Sequence, residues 1–100
     1  MPAYLVADIE ITDPQGYAEY GKAVVESIAA FGGRFIVRGG AIEVREGGWS
    51  PKRLVILEFP SMERLRAWYD SPEYAPMLAL RKRSAIANLL LVEGASVESG

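Results

Sequence analysis

The hydrophobic period of this chain changes abruptly, and it does so twice. Residues 4–12 (YLVADIEIT) alternate, with Leu5, Ala7, Ile9 and Ile11 on one side and Tyr4, Val6, Asp8, Glu10 and Thr12 on the other. That is the period of a half-buried strand. At Asp13-Pro14 the alternation stops: a capping carboxylate followed by proline, whose missing N–H costs nothing in the first turn, predicts a helix start. Tyr17, Tyr20, Val24, Ile28 and Phe31 then recur every three or four residues as one apolar stripe, with Glu19, Lys22 and Glu26 off it. Gly32-Gly33 closes the helix.

The second switch follows KRLVILEFP. Its run Leu54, Val55, Ile56, Leu57 has too little polarity for an exposed edge and reads as a central strand. Ser61 caps a helical segment with Leu65, Trp68 and Tyr69 on one side. Asp70-Ser71-Pro72 breaks it, and Ser71-Pro72-Glu73 opens a further segment through Met77, Leu78 and Arg81 to about Ala85. ANLLLVEG is a last strand, and ASVESG a short polar tail expected to fray. Between the switches, residues 34–46 (RFIVRGGAIEVRE) are strand-like, with a bend or bulge expected at Gly39-Gly40 and a reversal at Gly47-Gly48. The order strand, helix, strand, strand, broken helix, strand is α+β: a ferredoxin-like βαββαβ arrangement with a four-stranded antiparallel sheet. A single domain over residues 1–100, with its core at about 4–94, is expected.

Composition narrows the chemistry. The chain has no Cys and no His, so disulfides, thiolate nucleophiles, Cys-type zinc sites and the commonest metal ligand and general base are excluded. With 11 Lys+Arg against 13 Asp+Glu, the net charge is -2, a poor balance for a sequence-independent nucleic-acid binder. The N-terminus carries no basic, apolar leader, and no segment approaches the ~18 apolar residues of a membrane span. The expectation is a cytoplasmic protein with no nucleic-acid or membrane partner. The glycine pairs lack the spacing of a phosphate loop, and the carboxylates Glu43/Glu46 and Glu10/Asp13 form no convincing metal set. The run Arg81-Lys82-Arg83 reads as a solvated face at a helix C-terminus.

Four segments, DPQGYAEYGKAV, GGRFIVRGG, the stretch from Trp49 through PKRLVILEFPS, and WYDSPEYAPMLALR, together resemble the domain-of-unknown-function 1330 family over residues 4–94. The matching positions are Gly33, Arg38, Gly39, Gly40, Trp49, Arg53, Glu58, Ser61, Trp68, Tyr69, Ser71, Tyr74 and Arg81. The resemblance implies a dimeric α+β barrel, in which two ferredoxin-like sheets face one another across a cavity. It implies no reaction, because none is assigned to the family. The wider superfamily includes cofactor-free monooxygenases and lactone isomerases, many of which rely on the His that this chain lacks. No cofactor is therefore expected.

Helices cover one face of such a sheet; the other must be wet or covered by a partner, here a second copy. Alternation puts Tyr4, Val6, Asp8, Glu10, Leu54, Ile56 and Glu58 on that open face, and sends Phe35 and Val37 to the helices with Arg34, Ile36 and Arg38 opposite. Arg38 and Glu58 share the open face only if a one-residue bulge intervenes, for which Gly39-Gly40 is the candidate. An apolar face bearing Asp8, Arg38 and Glu58 has the make-up of a ligand site. Arg38 would bind an anion or enolate, with Asp8 or Glu58 as base. The alternative is an Arg-Glu ion pair that sets dimer register. Trp49 would lid the cavity or anchor in the partner. Tyr69 and Tyr74, at the helix break, would sit near the mouth or serve as core aromatics with a wet end. Two functions stay open: a small-molecule binder or cofactor-free enzyme acting between the two sheets, and a non-enzymatic dimerisation or metabolite-sensing module.

Overall fold

In the computed structural model, which describes residues 1–95, the two switches become two layers. The elements are β1 (Ala3–Ile11), α1 (Pro14–Ala30), β2 (Arg34–Arg38), β3 (Leu54–Phe59), α2 (Met62–Tyr69), α3 (Ala75–Ser84) and β4 (Ala85–Glu93). The strands form one antiparallel sheet in the order β2-β3-β1-β4, the expected ferredoxin-like arrangement. The helices share one face. Leu5, Ala7 and Ile9 from β1 and Val55, Leu57 and Phe59 from β3 are buried there against Tyr20, Val24 and Ile28 of α1 and Leu65 and Trp68 of α2, as their periods require. Ile11, at the end of β1, is 37% exposed and leaves that set.

Local chemistry fixes the joints. Ser61 accepts from the Arg64 amide (3.1 Å), the expected cap. Asp13 holds the cap position of α1, but its carboxylate takes no helix amide, so proline and the apolar stripe start that helix. Gly32, at φ +84°, lets the Gly33 amide reach back to the Ile28 carbonyl (2.9 Å). At the break between α2 and α3, the Ser71 hydroxyl donates to the Trp68 carbonyl and accepts from the Tyr74 amide, which swings Tyr74 inward.

Three further expectations fail, all around β2. The strand ends at Arg38 rather than at 46, and residues 40–53 form no regular element. They make an exposed arm. No hairpin reversal joins paired strands at Gly47-Gly48. The bulge falls at Ile36, where the register jumps between Phe35↔Leu57 and Val37↔Ile56, instead of at Gly39-Gly40. One extra residue turns over every side chain that follows it. Val37 therefore shares the open face with Ile56, and Arg38, opposite Val55, passes to the helix side. The expected tail lies, from residue 96 on, outside the described residues.

Candidate functional site

The cavity of interest lies within one chain, between α1 and the sheet. Its walls are apolar, from Leu5, Ala7, Val55, Leu57, Phe35 and the buried Trp68 ring. About 50 Å³ of it is open to the centre of a water molecule, against roughly 10–15 Å³ for a single water. It has room for several waters or one ring. Polar groups enter from two ends.

At the inner end, Tyr74, Arg81 and Tyr20 converge. Tyr74 and Arg81 are seven residues apart, two helical turns, and so lie on one side of α3 and its cap. The Tyr20 and Tyr74 hydroxyls are 2.8 Å apart. Arg81 is only 5% exposed, and no protein atom among the described residues accepts from its Nε. Burial, and then the Tyr74 hydroxyl beside it, pushes the Tyr20 phenol well above its ordinary value. Tyr74 is also raised, by burial, although Tyr20 and Arg81 pull the other way. Burial is the largest influence on Arg81 and works against its charge, but Tyr74, Tyr20 and Tyr69 together outweigh it and the net shift is upward. Near neutral pH this end holds one fixed cation and two neutral hydroxyls.

The outer end is built by Gly21, Arg38 and Arg53. Arg38 Nη2 donates to the Gly21 carbonyl (2.9 Å), and its guanidinium lies 4.1 Å from the centre of the Phe35 ring. Arg53 sits over Tyr17, 5.7 Å from the ring centre, and its buried Nε likewise has no acceptor among the described residues. Gly39, at φ +69°, makes space for it: any Cβ there would collide with the Arg53 guanidinium. Tyr17, Gly21, Arg38 and Arg53 also border an outer groove with Lys22 and Val25, so they form the mouth.

The open face is arranged differently. Glu58 accepts from Arg34 (2.7 and 2.8 Å) and from the Tyr4 hydroxyl (3.0 Å). These donors hold its carboxyl below the usual range, Arg34 first, and the bond to Glu58 raises Tyr4. Asp8 accepts from Trp49 Nε1 and from the Lys52 amide, both at 3.0 Å. It thereby ties the far end of the arm to the sheet.

The residues singled out by sequence are thus divided by the sheet. Arg38 and Tyr74 line the cavity. Asp8 and Glu58 lie on the other face, so neither can act as base to Arg38, and the Arg-Glu pair forms with Arg34. Trp49 is 62% exposed and bonded to Asp8. Tyr69 is half-buried, packed on Tyr74 at 5.7 Å between ring centres. Sequence reasoning missed Arg53, Tyr20 and Arg81 as site residues. For Arg81 a signal existed in the spacing from Tyr74, but the adjoining Lys82 and Arg83, both exposed, masked it.

Comparison with solved structures defines the class. A protein of unknown function from Rhodopseudomonas palustris superposes with a TM-score of 0.73 at 16% identity, over 95% of this chain and 83% of that one. SnoaB, a cofactor-independent oxygenase from Streptomyces nogalater, gives 0.65 at 10% identity over 99% and 98%. An antibiotic biosynthesis monooxygenase gives 0.53 at 12% over 96% and 100%. These likenesses show the ferredoxin-like α+β fold. The chain belongs to the family described as a domain of unknown function, DUF1330, whose model matches residues 2–95. No curated protein matches the chain in sequence.

Proposed function

We propose that the protein binds a small organic molecule in the helix-side cavity, and that it does so as a homodimer joined through the open sheet faces. One observation carries the binding reading. The layer where helices meet sheet is normally the densest part of a small domain, yet here it holds a cavity into which guanidinium and hydroxyl groups point. Apolar walls with a few fixed polar groups are the make-up of a ligand site. This reading sets the ligand inside each subunit, on the helix side of the sheet, rather than between two sheets. Arg38 and Tyr74 serve it; Asp8, Glu58, Trp49 and Tyr69 are assigned to architecture.

The dimer is supported by the open face, where Ile86, Leu90 and Val92 of the edge strand β4 are 63%, 56% and 44% exposed. A patch of this kind marks an interaction surface. The arm adds exposed Ile42, Val44 and Trp49, tied at one end by Asp8. The pairing of Glu58 with Arg34 and Tyr4 puts satisfied polar groups on the same face, able to fix the register of two sheets.

SnoaB shows that a cofactor-independent oxygenase can have this fold. In the present cavity, however, the wall has no carboxylate among the described residues, and the sequence has no His. Nothing there titrates near neutrality to take a proton. The lining favours binding or sensing, and a reacting substrate would have to supply its own acidity. A thermal-shift screen of small acids, amides and alcohols, with sedimentation of the free protein, tests both parts. The expected results are ligand-dependent stabilisation and a species of twice the chain mass. No stabilising compound would sink the binding reading, and a single-chain species at micromolar concentration would sink the dimer.

A further inference from the structure

We infer that the molecule bound in this cavity is an organic anion: a single ring carrying a carboxylate, enolate or phenolate oxygen, held by Arg81 at the inner end and Arg53 at the mouth. The inference rests on the reading that the cavity binds a small molecule and adds the ligand's charge and size. Three arginines reach the lining, with no Asp or Glu among the described residues to balance them. The sheet separates them from Asp8 and Glu58, whose carboxylates already have donors. A buried cation without a counter-charge, and a buried N–H without an acceptor, are each costly. Arg81 combines both at 5% exposure, and the Arg53 Nε repeats the second. The neutral hydroxyl pair adds a donor: Tyr20 and Tyr74 share one bond but own two O–H groups, which leaves one proton free for a ligand oxygen. Donors therefore surround the inner end, and the acceptor they lack is an anionic oxygen. Leu5, Val55, Phe35 and Trp68 dictate that the rest of the ligand be apolar, and the cavity volume limits it to about one ring.

The experiment compares benzoate with benzamide, which has nearly the same shape and no charge, by calorimetric titration and thermal shift at neutral pH. Benzoate should bind and raise the melting temperature, with benzamide roughly ten- to a hundredfold weaker, the range of a charged hydrogen bond. Arg81→Met and Arg53→Met should each remove most of that preference, whereas Arg45→Met, on the exposed arm, should leave it unchanged. Arg53 is only half-buried, so its variant keeps the test open if Arg81→Met does not fold. Equal affinities for the two probes would overturn the charge assignment while leaving the cavity a binding site. A benzoate preference untouched by either cavity variant would place the anion elsewhere and overturn the inference. Binding of neither probe up to its solubility limit would overturn both readings.

Discussion

Both faces of the sheet set charged groups among apolar ones, yet they treat those charges in opposite ways. On the open face Glu58 and Asp8 are satisfied within the chain: Glu58 by Arg34 and Tyr4, Asp8 by Trp49 and the Lys52 amide. On the helix face, Arg81 and Arg53 keep buried Nε–H groups without acceptors among the described residues. A surface built to meet another protein benefits from charges paired in advance, because unpaired ones must be desolvated on contact. A ligand cavity requires the reverse, donors left over for the guest. The lesson is that accounting for partners, more than composition, tells an interface from a site.

The contrast can be broken by substitution. The largest expected effect is Phe59→Ala: the ring is 1% exposed and packs on Trp68 at 5.5 Å between centres, and its loss should cost ~3–5 kcal/mol in chemical denaturation. Leu90→Asp, on the other face, should leave the fold intact and shift sedimentation to the single chain. If the two variants exchanged behaviours, the assignment of the faces would be wrong.

Alkaline titration comes next. Tyr20 and Tyr74 have raised pKa values in the folded chain, so the folded state keeps protons that the unfolded chain releases. Their contribution is fully present below pH 10, the ordinary phenol value, and declines as pH rises above it, by up to ~1.4 kcal/mol per pH unit for each proton retained. Tyr20→Phe should flatten that decline. Smaller again is Arg81→Met without ligand: replacing a buried, under-bonded cation with an apolar chain should change stability by about 1 kcal/mol or less, without systematic loss. A steep drop in melting temperature would instead assign Arg81 to structure. The smallest effect concerns the half of the comparison that faces solvent. Glu58 is held below its ordinary value, so its pairing stabilises the fold above about pH 4.5 and is lost as pH falls through the lowered folded value. Glu58→Gln should remove that slight acid-side slope from a series of melting curves.

How much of this was legible in the sequence follows from the range over which each feature is determined. Element order and the buried sets of β1, β3 and α1 are written in short-range periods, and Leu5, Val55, Leu57 and Val24 fell where those periods put them. The position of Arg38 depended on a bulge at Ile36 that no local residue announces, whereas Gly39-Gly40 advertised one that did not form. Gly39 has another use, making way for Arg53. The arm reads as a strand because Ile42 and Val44 alternate with Glu43 and Arg45, but alternation alone supplies no hydrogen-bonding partner. Arg81 was hidden by its charged neighbours, although its spacing from Tyr74 carried the signal.

The most direct test of the division between the faces is the nuclear magnetic resonance spectrum of the protein titrated with benzoate. The account predicts shifts at the Arg81 Nε–H, the Trp68 indole N–H and the Gly21 amide, with the open-face amides of Tyr4, Ile56 and Leu90 unmoved. Shifts centred on Arg34, Glu58 and Leu90, with Arg81 and Trp68 silent, would contradict it.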